Sequence, residues 1–303
     1  MKRLTAIFTL LTALLLATSC SKDELPGCES TDETEQMQTY TFSVSADPAI
    51  EGEAETRSQG TPEEQPTRCY MQILTKSKVE TGIRGDNGSF TFSVNLPSET
   101  TQTFLFWADN ATGNAPTDLR AVAYTQGKVA FAASVTGTPE NVISNGVKLK
   151  HVVTKVSLQH NGDNTFSPKK DDVMKVTLPC ATTYDVSNLS VTTSGTYEFT
   201  HTFTEGSDIT GEIELCSLYL LAPSDASDVD ISFRTHQLTI SNMPTQANTH
   251  ITLRGDFSSS NDKWEPTESQ RKEAFQSCFF KEDGKPKGDY FNGDYVFYSN
   301  SRP

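Results

Sequence analysis

The sequence contains 303 residues, of which 21% are charged and 35% are hydrophobic, and its formal net charge at pH 7 is −14. This acidic balance excludes the basic surface that a nucleic-acid-binding protein needs. The length allows one large domain or two smaller ones. Beyond residue 16 no apolar run reaches the roughly 20 residues that a membrane-spanning helix requires.

The N-terminus has the pattern of an export signal. Lys2 and Arg3 precede an apolar stretch over residues 4–16, and small residues lead to Cys20. A basic start, a short apolar core and a small-residue exit are typical of a secretory signal peptide. One interpretation is an ordinary secreted protein. However, residues 17–20, Ala-Thr-Ser-Cys, resemble a bacterial lipobox, which implies a signal peptide over residues 1–19 and acylation of Cys20.

The resemblance to a lipobox implies that Cys20 anchors the protein to outer-membrane lipid. Several acyl chains, at about 0.8 kcal/mol per buried methylene, make such an anchor stable. Residues 21–24, Ser-Lys-Asp-Glu, resemble the acidic tag that directs lipoproteins of Bacteroidetes to the outside of the outer membrane. Residues 21–38 carry six acidic residues against one lysine, so we predict a solvated acidic tether over residues 20–38.

The first half of the remaining chain predicts β-strands. Apolar residues alternate with polar ones over residues 39–46, where Tyr40, Phe42 and Val44 share one face. Further strands are predicted over residues 69–75, 89–96 and 127–135. The segment 103–108, TFLFWA, is apolar on both faces and predicts a central strand. Between the first two strands, residues 47–68 are acidic and rich in Pro and Gly, which predicts a long loop.

A change of phase marks the middle of the chain. Over residues 147–160 the apolar positions are odd at Leu149 and Val153 but even at Val156 and Leu158. Because side chains alternate with a period of two, this switch requires a bulge, a bend or a change of sheet. We therefore place a domain crossing near Thr154, with an N-terminal β-sandwich over residues 39–150 and a C-terminal one over residues 151–257.

The C-terminal part differs in character. Residues 258–303 form a predicted extension with one helix at about 267–280, because a capping-box pattern precedes an apolar stripe at helical spacing. An aromatic tail ends it. Trp264 lies beside the predicted linker of this extension and is a candidate ligand contact. The overall prediction is an all-β protein with two tandem Greek-key-like sandwiches and this short extension.

The sequence offers no catalytic or metal-binding motif. Its five histidines lack metal-site spacing, and no nucleophile or phosphate-loop motif is present. We therefore predict no enzyme, cofactor or metal site. Of the six cysteines, Cys69, Cys180 and Cys216 lie in strand-like runs and are predicted to be small buried residues. Two Arg-Gly-Asp tripeptides occur, at residues 84–86 and 254–256. A turn accounts for the first and a strand end for the second; the alternative interpretation is that they mediate adhesion.

Four ordered motifs resemble those of fimbrillin-like proteins of Bacteroidetes, which build type V pili. The motifs are residues 149–156, LKHVVTKV, at the domain crossing; residues 106–109, FWAD; residues 220–223, LLAP; and Asn248-x-x-Ile251-x-Leu253. Thr154 stands where Ala is usual in the first motif. The segment from residue 258 onward does not match the usual end of this family.

The resemblance implies a lipid-anchored surface protein that takes part in a pilus. The resemblance implies that, in stalk subunits of this family, cleavage after an arginine releases the first strand and a strand from the next subunit fills its place by β-augmentation, whereas anchor-type relatives are not cut there. The matching position here is Arg57, with Arg68 as a second candidate, although any exposed loop can contain an arginine. The atypical C-terminus favours an accessory, anchor or tip subunit. The alternative is a stand-alone surface lipoprotein that binds a glycan or a host ligand.

Overall fold

The computed structural model describes residues 37–47, 65–223, 226–234, 236–255, 257 and 292–297. Strands dominate this part of the chain, and one short helix interrupts them. The predicted all-β class is therefore confirmed. The predicted helix at 267–280 lies outside the described residues.

The first part of the chain forms one eight-stranded sheet. Its elements are β1 (Met37–Ala46), β2 (Arg68–Ile73), β3 (Val79–Thr81), β4 (Ile83–Arg84), β5 (Phe90–Pro97), β6 (Gln102–Asp109), β7 (Val122–Ala123), β8 (Ala130–Gly137), α1 (Pro139–Asn145) and β9 (Val147–His151). The sheet has the order β3-β2-β6-β8-β9-β1-β5-β4, and β7 lies outside it. Its two ends meet, because only Gly82 separates β3 from β4 and its N–H donates to the carbonyl of Cys69 in β2 at 2.8 Å.

The core of this first sandwich follows from the sequence pattern. The alternating strands β1 and β5 bury one face each, whereas β6 is buried along most of its length. Aromatic side chains fill the interior, and those of Phe42, Phe104, Phe106, Trp107 and Phe131 are at most 1% exposed. This arrangement confirms the prediction of a central strand over residues 103–108.

The helix α1 begins and ends at local signals in the sequence. The hydroxyl of Thr138 accepts a hydrogen bond from the N–H of Asn141 at 3.4 Å, and Pro139 occupies the first turn. Gly146, with φ of 68°, ends the helix. A Thr-Pro start and a Gly end are ordinary helix boundaries, yet the sequence pattern predicted no helix here.

The second part of the chain forms two further sheets. Its strands are β10 (Thr154–Phe166), β11 (Val173–Asp185), β12 (Ser190–Thr202), β13 (Ile209–Leu220), β14 (Ala226–Phe233), β15 (His236–Pro244), β16 (Thr249–Gly255) and β17 (Asn292–Phe297). One sheet has the order β13-β10-β16-β17, and the other has the order β12-β11-β14-β15 with β7 joined to β11. A separate core, which includes Val156, Leu158 and Ile251, lies between them.

The phase switch in residues 147–160 corresponds to a change of sheet. Strand β9 ends at His151 in the first sheet, and β10 begins at Thr154 in another. The side chains of Leu149 and Val153 therefore belong to the first core, whereas Val156 and Leu158 belong to the second. Two residues between the strands are enough to redirect the alternation.

Several contacts join the two sandwiches. Strand β7 pairs with β11, and the amide of Tyr124 donates to the carbonyl of Thr182 at 2.9 Å. The hydroxyl of Tyr124 donates to the carbonyl of Tyr219 at 3.2 Å. The Trp107 and Tyr184 rings lie with their centroids 5.6 Å apart. The first core thus extends into the base of the second sandwich.

Candidate functional site

Strand β1 lies in the interior of the first sheet. It pairs antiparallel with β5, from Met37 opposite Pro97 to Val44 opposite Phe90, and parallel with β9 over residues 44–46. Its removal would therefore separate β5 from β9 and open a groove between them. Among the described strands of this sheet, β1 is the first in chain order.

The side chains of β1 have two distinct environments. Tyr40, Phe42 and Val44 point into the core and are 4%, 1% and 0% exposed, and the Phe42 ring centroid lies 5.1 Å from that of Phe104. The intervening residues are exposed, and Thr39 donates to the side-chain carbonyl of Asn95 at 2.6 Å. Any strand that replaces β1 must carry apolar side chains at the same three alternating positions.

Of the two arginines predicted as processing sites, the structure describes only Arg68. Arg57 lies outside the described residues, in the segment that connects β1 to β2. Arg68 begins β2, where its guanidinium forms an ion pair with Asp109. Cys69, on the other side of the Arg68–Cys69 bond, is fully buried and pairs with β6. A protease would have to open β2 to reach this bond, which favours Arg57 as the cleavage candidate.

Asp109 is a buried acceptor at the end of β6. Its carboxylate accepts hydrogen bonds from the Trp107 indole at 2.7 Å and from the Ala111 amide at 3.1 Å, besides those from Arg68. Burial lowers the pKa of Arg68, but the hydrogen bond and the charge of Asp109 outweigh this effect and leave the pKa raised. The sequence analysis missed this pair. A carboxylate directly after a wholly apolar strand was the available signal.

The other candidate residues fall into two groups. Cys20 and Trp264 lie outside the described residues. Cys69, Cys180 and Cys216 are buried, as predicted, and their thiols are free; burial raises the pKa of each thiol. In the described part of the chain, no three His, Cys, Asp or Glu side chains come together as metal ligands.

His151, on the phase-switching stretch, is a structural residue. It is 2% exposed, and the centroid of its ring lies 4.0 Å from that of Phe131. Trp107 is fully buried in the same core, as predicted. No helix within the described ranges combines the length and the apolar character that a membrane span requires.

The comparison with known families matches most of the chain. The model of a family of unknown function, DUF6562, matches residues 31–265. The chain belongs to this family. The matched range contains every strand from β1 to β16, so the DUF6562 region includes both sandwiches.

Solved structures are similar to this DUF6562 protein at low identity. One is a fimbrial assembly protein from Parabacteroides distasonis, with 11% identity, a TM-score of 0.40, and coverage of 75% of this chain and 94% of that chain. Another is the fimbrial anchor protein Mfa2 from Porphyromonas gingivalis, with 10% identity, a TM-score of 0.36, and coverage of 64% and 78%. No curated protein matches in sequence.

Proposed function

We propose that this DUF6562 protein is a lipid-anchored surface component of a pilus, and that β1 occupies its strand-exchange site. The position of β1 carries the proposal. In the sheet, β1 lies between two neighbouring strands, and its side chains are alternately buried and exposed. In chain order it is the first described strand, and a segment that contains Arg57 connects it to β2. One cut in that segment would leave β1 attached to the rest of the sheet by non-covalent contacts alone.

β-Augmentation supplies the physical basis for assembly. The backbone groups of β5 and β9 would supply hydrogen bonds to an incoming strand, and the pockets of Tyr40, Phe42 and Val44 would select its register. The ordered fimbrillin-like motifs and the lipobox at Cys20 support this role. Before any cleavage the chain would keep its lipid and its own β1, as suits an anchor or accessory subunit, and a cut after Arg57 would open the groove to a strand from another subunit.

The test combines proteolysis with strand exchange. The chain from Ser21 onward is treated with an Arg-specific protease, and a fluorescent peptide of residues 37–46 is then added. We expect cleavage after Arg57, followed by release of the original strand and incorporation of the labelled peptide into the folded remainder. An Arg57→Ala variant should not be cut between β1 and β2, even if exposed arginines such as Arg84 are cut, and it should exclude the peptide.

The outcome separates the two functions that the sequence left open. A cut protein that stays folded and takes up the peptide supports strand exchange. A cut protein that keeps its own strand, excludes the peptide and stays monomeric would contradict it and favour a stand-alone binding lipoprotein. Incorporation of an alkyne-labelled fatty acid, lost in a Cys20→Ser variant, tests the anchor separately.

A further inference from the structure

An exposed turn joins β4 to β5 in the first sandwich. Its residues 84–86 are Arg-Gly-Asp, and all three are exposed. The N–H of Gly85 donates to the carbonyl of Ser89 at 2.8 Å, and the side-chain carbonyl of Asn87 accepts from the Ser89 amide at 3.1 Å. These bonds hold the tripeptide in a defined conformation at the tip of a hairpin.

The two charged side chains of this turn are free in the described part of the chain. Neither Arg84 nor Asp86 forms an ion pair there, whereas the exposed Arg120 is paired with Asp118. A cleft of about 350 Å³ separates the turn from the end of β1 and from Pro66. The guanidinium and the carboxylate thus project from the sandwich and are open to a partner.

Gly85 keeps the turn compact. A Cβ atom at this position would lie 3.1 Å from the side-chain oxygen of Asn87, which is tighter than an ordinary contact. A larger residue would therefore push against the Asn87–Ser89 bond that shapes the turn. Because Gly85 has no side chain, the turn can hold the guanidinium of Arg84 and the carboxylate of Asp86 at their present spacing.

The second Arg-Gly-Asp tripeptide lies in a different setting. Its first two residues, Arg254 and Gly255, belong to β16 and pair with β10 on one side and β17 on the other. The backbone of these two residues therefore runs inside a sheet, whereas residues 84–86 lie at a turn. Asp256 lies outside the described residues.

We propose that residues 84–86 form an adhesive site for a receptor that offers a bound divalent cation to Asp86 and an acidic pocket to Arg84. Carboxylate oxygens are preferred ligands of Ca²⁺ and Mg²⁺. A guanidinium forms strong bidentate hydrogen bonds with carboxylates. The site lies on the β4–β5 turn and does not require the removal of β1, so it is independent of strand exchange.

The experiment measures binding of the full chain to a purified Arg-Gly-Asp receptor of the integrin class, which serves as the probe. Binding is recorded by surface plasmon resonance with Mg²⁺ and Mn²⁺ and again with EDTA. The test variants are Asp86→Glu, which keeps the charge but moves it by one methylene, and Arg84→Ala. The matched control is Asp256→Glu, the same change in the second tripeptide, whose first two residues are paired in β16.

We expect cation-dependent binding that weakens at least about tenfold in both test variants. Asp86→Glu moves the carboxylate away from the position that fits the cation, and Arg84→Ala loses its charged hydrogen bonds. Asp256→Glu should bind as the unaltered chain does. No binding, binding that persists in EDTA, or an effect of Asp256→Glu equal to that of Asp86→Glu would each overturn the proposal. Circular dichroism and the thermal unfolding temperature establish that each variant remains folded.

Discussion

Asp109→Ala is predicted to destabilise the first sandwich strongly, because Asp109 satisfies several donors at once. Its side chain is 8% exposed and accepts from Arg68, from the indole N–H of Trp107 and from the amide of Ala111. Truncation removes all these bonds. It leaves the N–H of the fully buried Trp107 without its acceptor and the guanidinium of Arg68 without its counter-ion.

The magnitude follows from burial. Breaking a fully buried ion pair costs about 3–5 kcal/mol, but the Arg68 side chain is 19% exposed, so water recovers part of that loss. An unsatisfied buried N–H costs about 1–3 kcal/mol. We expect a total loss of about 3–5 kcal/mol. Asp109→Asn keeps one oxygen acceptor for Trp107 and should lose about half as much.

The assay is urea unfolding followed by tryptophan fluorescence. A Trp264→Phe background leaves Trp107 as the reporter, which lies within the affected network. The control is Glu198→Ala, which removes an exposed ion pair with Lys175 and should cost less than about 1 kcal/mol. If Asp109→Ala lowered the free energy of unfolding no more than this control, the buried network would contribute no more than a surface pair.

Two further predictions concern β1 and an exposed carboxylate. Phe42→Ala should lower the free energy of unfolding by about 3–5 kcal/mol because it empties a buried aromatic position. The control, Ser43→Ala at the exposed neighbouring position, should change it by less than about 0.5 kcal/mol. Equal effects of the two substitutions in urea unfolding would contradict the placement of β1. The pKa of Asp118 is lowered to about 2, and the hydrogen bond from Arg120 is the largest cause. The ionised carboxylate therefore stabilises the fold above about pH 4, and this contribution is lost as the pH falls through about 2. Arg120→Ala should raise this pKa toward about 3.9, measured by NMR titration of the carboxyl group, and an unchanged value would refute the assignment.

Local patterns in the sequence were sufficient to predict most strands and their buried faces. Alternation predicted the inward side chains of β1 and β5, and a doubly apolar run predicted the buried β6 with Trp107. The phase switch near Thr154 predicted a bulge, a bend or a change of sheet, and the structure has a change of sheet there. These features depend on side-chain period and hydrophobicity, which are properties of short segments.

The partners of those strands were decided by tertiary structure. Nothing near residues 37–46 indicates that β1 pairs with β5 on one side and, in parallel, with β9 about a hundred residues later. The ion pair between Arg68 in β2 and Asp109 in β6 likewise joins residues that are far apart in the sequence. Pairing over such distances depends on the packing of the whole sheet, so no local pattern encodes it.

The two Arg-Gly-Asp tripeptides show this division most directly. Their sequences are identical, so composition and local propensity cannot distinguish them. The sequence by itself shows that each tripeptide contains the guanidinium of an arginine, a glycine without a side chain and the carboxylate of an aspartate. Only the fold placed residues 84–86 at an exposed hairpin tip and Arg254 and Gly255 in β16 between two neighbouring strands, because strand pairing depends on which distant segments lie alongside a residue.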